Sequence, residues 1–184
     1  MGEVIVRAAR PADAEALSRI YGDACLHGFG TFEEAAPSPE EMAARLKAVT
    51  DRGLPYVVAE VDGEVAALAY AGPFRLRAAY RYTVEDSVYV APDFKGQGLG
   101  AAVLIKVIEA CEALGMRQMM AVIGDSENAG SIALHRSLGF EMKGVMPAVG
   151  FKHGRWVDIV FMQRSLNGGS ETLPDGDGLE LRGA

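Results

Sequence analysis

The chain has 184 residues, enough for one domain with a substantial core, and its 49% hydrophobic and 23% charged residues are those of a water-soluble globular protein. A net charge of −7 argues against a broad nucleic-acid surface or a patch for anionic membranes. Two cysteines, no apolar run of transmembrane length and no signal-like opening after Met1-Gly2-Glu3 make a cytosolic protein with reduced, buried thiols the expectation.

Val4–Val6 reads as a short first strand. Pro11 suits the first turn of a helix whose apolar face carries Ala14, Leu17, Tyr21 and Cys25. The stretch 27–32, His-Gly-Phe-Gly-Thr-Phe, is a flexible but aromatic loop. Ser38 as N-cap, Pro39 at the first helical position and Glu41 in capping-box position start a helix that runs to about Thr50. Tyr56–Val61 and Glu64–Ala71 are strands joined by Asp62-Gly63, a strong hairpin signal. Gly72-Pro73 ends the hairpin, and a loop continues to Arg81. Thr83–Val90 is a strand that carries Glu85 and Asp86 in an otherwise apolar run.

That strand breaks at Pro92-Asp93, and Gly96, Gly98 and Gly100 lead into a helix with Leu99, Val103, Leu104, Val107, Ile108, Cys111 and Leu114 on one face, closed by Gly115. Met119–Ile123 is a buried strand, and after a loop Asn128 N-caps a short helix packed through Ile132, Leu134 and Leu138 and ended by Gly139. Phe140–Val145 and Trp156–Gln163 are the last strands. Residues 1–166 thus form one domain, a mixed α/β sheet covered by helices. From Asn167 the sequence turns Gly-rich and acidic with few apolar groups to offset the entropy of ordering, so 167–184 reads as a flexible tail.

Glycines at a helix start leave backbone N–H groups uncovered where the helix dipole favours phosphate, which narrows the ligand to nucleotides and CoA-like cofactors. A dinucleotide fold would carry its glycines at the first strand, and a P-loop would end in Gly-Lys-Ser/Thr; neither pattern is present. His27, His135 and His153 show no zinc-type spacing with the cysteines, so no metal is expected. Arg75, Arg77 and Arg81 cluster in one loop of an acidic chain, either simply solvated or matched to an anionic ligand. Glu85, in a partly buried strand, is either a solvent-facing residue or a carboxylate of raised pKa suited to taking a proton from an amine. Asp86 has the opposite strand parity and cannot share its face.

Lys95-Gly96-Gln97-Gly98-Leu99-Gly100 resembles the acetyl-CoA motif of the GNAT N-acetyltransferases, usually Arg/Gln-x-x-Gly-x-Gly/Ala, with Lys95 in place of the common Arg or Gln. Asn128-x-x-Ser131-x-Ala133-x-His135-x-x-x-Gly139-Phe140 fits the second half of that pattern, where many members have Tyr in place of His135. Within the family, 58–65 (Val-Ala-Glu-Val-Asp-Gly-Glu-Val), Tyr70-Ala71-Gly72-Pro73, Glu85-x-Ser87-Val88-Tyr89-Val90 and Gly150-Phe151-Lys152-His153-Gly154-x-Trp156-x-Asp158 are similar to phosphinothricin and methionine sulfoximine/sulfone acetyltransferases. The resemblance spans roughly residues 3–166.

It implies a GNAT fold, a mixed, mostly antiparallel sheet flanked by helices. It implies acetyl-CoA as co-substrate without a metal, a small amino acid as acceptor, a homodimer, and no nucleic-acid or membrane partner. By resemblance Val88, Tyr89 and Val90 lie beside the pantetheine, with the Val90 N–H polarising the acetyl carbonyl. Lys95, Gly96, Gln97, Gly98, Leu99, Gly100 and Ala101 would cradle the pyrophosphate, and Asn128 and Ser131 would bond pantetheine or phosphate oxygens. Asn128 as a plain helix cap is the competing reading. Arg75, Leu76, Arg77, Tyr80, Glu85, Asp86 and Ser87 would face the substrate, and Phe32 would wall the pocket. Glu85 becomes the base. His135 becomes a proton-transfer residue, either shuttling from the amine or protonating the leaving thiolate. Attack is expected to be direct, because neither cysteine sits in a motif placed to attack. Acetylation of another amine, such as a protein N-terminus or an antibiotic, and a non-catalytic acetyl-CoA sensor remain the alternatives.

Overall fold

The computed structural model describes residues 2–181. Residue 1 of the domain and residues 182–184 of the expected tail lie outside the described residues. Seven strands form one sheet in the order β1-β2-β3-β4-β5-β7-β6. They are β1 (Val4–Ala8), β2 (Tyr56–Val61), β3 (Glu64–Pro73), β4 (Thr83–Val90), β5 (Gln118–Gly124), β6 (Glu141–Lys152) and β7 (Arg155–Ser165). Every neighbouring pair is antiparallel except β4 and β5, which run parallel. The crossover between those two is helix α3 (Leu99–Ala113), as a parallel connection requires. The other helices are α1 (Ala14–His27), α2 (Pro39–Thr50) and α4 (Ala129–Ser137).

Strand alternation sorts the core into two layers. Val57, Ala59, Ala67, Ala69 and Ala71 pack with Val103, Leu104, Val107 and Ile108 of α3. Tyr56, Val58 and Leu68 face the other way, onto Leu17, Ile20 and Tyr21 of α1 and Met42 and Leu46 of α2. Covered on both faces, β2 and β3 read as continuous apolar runs. The alanines of β3 leave room for the large side chains of α3. Ser38 Oγ accepts from Glu41 N at 3.2 Å and Asn128 Oδ1 from Ser131 N at 3.1 Å, the two caps that the sequence predicts.

Two expectations change. β6 is twice the length predicted from Phe140–Val145, because it is an edge strand. There Pro147 costs no ladder bond, and register shifts at Met142/Gly144 and Met146/Gly150 absorb the irregular glycine spacing. Residues 167–181 contain no helix or strand, as their composition predicts, yet they run along the body. Arg117, only 8% exposed, donates to the carbonyls of Gly169 (2.8 Å) and Thr172 (2.8 Å). Farther along, Tyr82 OH donates to Gly176 O at 2.7 Å and Leu179 N to Arg81 O at 2.8 Å. A buried guanidinium supplies the anchorage for which apolar side chains are too few.

Candidate active site

β4 and β5 pair only from Thr83↔Gln118 to Asp86↔Ala121. Beyond that register the two parallel strands part, and the sheet opens into a wedge. Ala91 N donates to Ala66 O at 2.8 Å and Phe74 N to Thr83 O, which fixes the parity of β4. Odd-numbered residues bond to β3; Val88 and Val90 turn their N–H and C=O into the gap. A cavity of about 880 Å³ occupies this wedge. Ser87–Val90 and Val122–Gly124 line its sides, 27–32 and part of α1 close one end, and Gly96, Gly98, Gly100 and α4 close the other.

Gly98 is the N-cap of α3, with φ +80°, and Gly96 has φ +78°. Those left-handed angles turn the chain so that the first N–H groups of α3 face outward, since Ala102 N, bonded to Gly98 O, begins the helical ladder. A Cβ on Gly100 would stand 3.3 Å from Leu134 Cδ2 and 3.4 Å from Val90 Cγ2, a tight fit that those side chains would have to relax to admit. A bare helix N-terminus, Lys95 beside it and an unpaired strand edge leading away suit a phosphate joined to an amide-containing arm.

The two carboxylates of β4 have separate surroundings. Glu85 lines the cavity with its side chain 33% exposed, and Oε2 stands 3.9 Å from Arg75 Nη1. Burial raises its pKa above the usual carboxylate value, Arg75 opposes that shift and Asp86 adds to it. Asp86 is buried on the opposite face and bonded through Oδ2 to His135 Nε2 at 2.9 Å. Its other oxygen has no hydrogen-bond partner among the described residues. His135 Nδ1 donates to the Ser131 carbonyl at 2.8 Å. Both ring nitrogens face acceptors, an arrangement that favours the protonated ring. Burial lowers its pKa, but the bond and charge of Asp86 and the Ser131 carbonyl outweigh that, and the net shift is upward.

Residues 6–161 match the family described as an acetyltransferase (GNAT) domain. The chain belongs to the GNAT acetyltransferase family. Phosphinothricin N-acetyltransferase of Alcaligenes faecalis is 49% identical over 170 residues, covering 92% of this chain and 86% of that one. L-methionine sulfoximine/L-methionine sulfone acetyltransferase of Salmonella typhimurium is 40% identical over 162 residues, 88% of this chain and 94% of its own. The crystal structure of a GNAT superfamily phosphinothricin acetyltransferase from Sinorhizobium meliloti in complex with AcCoA superposes with TM-score 0.91 at 48% identity, covering 95% of each chain. The expected fold is therefore the observed one, a GNAT sheet of mostly antiparallel strands.

In this GNAT protein the wedge brings together most residues singled out in the sequence. Phe32, Glu85, Asp86, Ser87, Val88, Tyr89, Val90, Lys95, Gly96, Gly98, Gly100, Ala101, Asn128, Ser131 and His135 all line the cavity. Leu99 is core, so only its backbone can serve a ligand, and Gln97 donates to Asp93 O at the surface. Arg75 reaches the cavity only at its edge, through Glu85, with its guanidinium 4.3 Å over the Phe74 ring. Leu76, Arg77 and Tyr80 are surface residues of the same loop, outside the lining, with Tyr80 edge-on to Phe74. Asp86 is turned to His135 rather than open to a substrate. The Asn128 carboxamide oxygen is spent on the cap, which leaves its N–H₂ group, 3.5 Å from Gly124 O, toward the cavity.

Tyr21, on the apolar face of the first helix by its spacing, and Tyr70, which the sequence offers only as part of a family motif, both line the cavity. Tyr21 OH donates to Glu33 at 2.7 Å and meets Thr31 Oγ1 at 3.0 Å, and its ring stands edge-on to Tyr89 at 4.8 Å. Tyr70 shares the Glu85 side of the sheet through its pairing with Ser87, a parity legible in the sequence once β3 is set against β4. The thiols of Cys25 and Cys111 are free and buried, and burial, with Asp86 and Glu112 nearby, pushes Cys111 up to about 12. Neither is a nucleophile at neutral pH. Among the described residues no group of three or more His, Cys, Asp or Glu could hold a metal ion, and no helix is long and apolar enough to cross a membrane.

Proposed function

We propose that this acetyl-CoA-dependent N-acetyltransferase acts on the α-amino group of a small amino acid with a tetrahedral anionic or sulfoximine-like side chain. Phosphinothricin and methionine sulfoximine or sulfone are the substrate class. Acetyl-CoA supplies the thioester acetyl group. The open edge of β4, the outward N–H groups of α3 and Lys95 supply donors for its amide arm and phosphates, and Val90 N–H is the donor for the acetyl carbonyl. Glu85 is the base. It takes one proton from the α-ammonium group, the resulting neutral nitrogen attacks the carbonyl directly, and as the tetrahedral intermediate collapses with cleavage of the C–S bond the nitrogen gives up its second proton to solvent. Arg75, beside Glu85, is the cation for the substrate's anionic end. His135, whose pKa is raised by Asp86 and the Ser131 carbonyl, is the proton donor for the departing thiolate in this reading.

The observation that carries this reading is the environment of Glu85: a carboxylate of raised pKa facing the wedge where the strand edge is bare. β6 is a long edge strand, and Val145, Met146, Val149, Phe151 and Trp156 on the β6–β7 hairpin are each at least 43% exposed, which fits a homodimer interface. Free buried thiols fit a cytoplasmic enzyme.

The test is release of free CoA by purified protein from acetyl-CoA with a panel of acceptors. Phosphinothricin and methionine sulfoximine or sulfone should give kcat/KM at least about tenfold above ordinary amino acids, N-terminal peptides and aminoglycosides. A preference for peptides or aminoglycosides transfers the enzyme to another acceptor class. Tight acetyl-CoA binding with no acceptor consuming it makes the protein a sensor.

A further inference from the structure

Lys152, the last residue of β6, is the largest fully buried side chain among the described residues, at 1% exposure. No carboxylate lies within ion-pair distance among the described residues. Its ammonium instead donates to two main-chain carbonyls, Thr31 O at 2.8 Å and Ala24 O at 3.4 Å. Ala24 is in the last turn of α1, where the helix dipole favours a cation, and its carbonyl also accepts from Gly28 N. Burial lowers the Lys152 pKa, while Cys25, Glu34 and Glu33 act in the opposite direction.

Both acceptors belong to residues that line the cavity, and Lys152 does not. Two other features converge on the same loop. A Cβ on Gly150 would run into the Phe32 ring, so the ring lies flat on the backbone of β6. A Cβ on Gly124 would collide with Phe29 O, so the loop also presses on the end of β5. From Thr31 the contacts continue through Oγ1 to Tyr21 OH, whose ring supports Tyr89 in the wedge.

We propose that Lys152 is a positioning residue that clamps the 28–32 loop to the β6–β7 hairpin and so sets the amine-binding wall of the cavity. A buried ammonium is a costly fastener, and a methionine of similar length would fill the same space without desolvating a charge. What the ammonium adds is direction. It fixes two carbonyls at once, at the end of a helix and in a glycine-containing loop that has no strand partner of its own. The wall is held from β6, so the amine end of the cavity is tied to the hairpin and the phosphate end is not. The kinetic part of this inference rests on the function proposed above; the structural part does not.

Lys152→Met keeps the length and removes the donors. In the active enzyme it should raise KM for the amine about tenfold, as loss of one or two buried bonds predicts, with KM for acetyl-CoA and kcat changed by less than about twofold. Gly150→Ala, which pushes Phe32 without touching the charge, should give the same split. Hydrogen exchange of amides 28–33 should accelerate in Lys152→Met while β2–β4 amides stay protected. Unchanged exchange at 28–33, or equal losses for both substrates, overturns the clamp. A wild-type protein that acetylates none of the amines overturns the proposed function, and the exchange result then decides the clamp alone.

Discussion

Glu85 and Asp86 are adjacent carboxylates with opposite fates: Glu85 opens into the wedge 3.9 Å from Arg75, while Asp86 is buried against His135 at 2.9 Å. Strand parity alone separates them, and the separation allows one to be a base while the other holds a cation. Two carboxylates on one face would share protons, and neither would titrate independently.

Glu85→Gln should lower kcat/KM for the amine about 10²- to 10⁴-fold, the range for loss of a positioned base. Its acetyl-CoA Kd should stay within about twofold, because the residue lies on the acceptor side of the wedge. The stability effect has the opposite sign. A carboxyl whose folded pKa is raised binds its proton more tightly in the native state, so the Glu85 contribution declines as pH rises from its ordinary 4.5 through the raised value. At pH 7 the Gln variant should therefore melt no lower than wild type, and a clear drop in Tm would make Glu85 a structural residue.

The His135 ring, bonded to Asp86, has the same sign of pH dependence from a higher starting point. The folded pKa of His135 is raised above 6.5, so the pair's stabilisation is complete below 6.5 and is lost as pH climbs through the folded value. Urea midpoints should fall along that limb in wild type and lose this dependence in His135→Gln. Asp86→Ala leaves a buried imidazolium without its partner and should cost about 3–5 kcal/mol, whereas replacing both residues with apolar ones of similar volume should cost much less. Equal costs for single and double replacement would show that the pair carries no coupling. The same deprotonation removes the acid for the leaving thiolate, so kcat should fall along the same limb.

How much of this was legible in the sequence depends on how local the cause is. Ser38 and Asn128 were readable as caps because a cap is decided by a residue and its third neighbour. The Gly96–Gly100 turn was readable because only a few local conformations need glycine at that spacing. The wedge itself was not, since nothing within β4 says where β5 stops pairing with it. Tyr21 looked like core because helical periodicity gives a side chain's face and not what lies opposite. The burial of Lys152 has no local signal, because its acceptors, Ala24 and Thr31, are more than a hundred positions away and are backbone atoms without a residue signature.

The contacts of the tail with the body have a testable cost. Arg117 donates to Gly169, Thr172 and Leu173, so deleting residues 168–184 removes these acceptors from its guanidinium. That deletion should cost about 1–3 kcal/mol by urea denaturation. In an Arg117→Leu background it should cost less, since no buried donors are then stranded; a double-mutant cycle measures the difference. The tail also bonds to Arg81 and Tyr82, where the 74–82 loop enters β4, so amine KM should rise in the truncated protein more than acetyl-CoA KM. Additive effects in the cycle would mean that Arg117 and the tail are independent.

Gly98→Val tests the other end of the wedge. Gly98 has open space around a would-be Cβ, so the obstacle is its φ of +80°, a conformation that costs a β-branched residue about 1–2 kcal/mol or more. The chain relieves that strain by rotating the start of α3, which re-aims the N–H groups of 99–101 away from where a phosphate must sit. Acetyl-CoA Kd should rise about tenfold or more, the reverse of the Glu85→Gln pattern, with amine KM changed little at saturating acetyl-CoA. Gly98→Asn separates angle from chemistry, because Asn tolerates the left-handed region best among non-glycine residues. It should recover most of the affinity. If Asn is as poor as Val, the side chain itself obstructs the ligand, and the site needs the glycine for clearance as well as for its backbone angle.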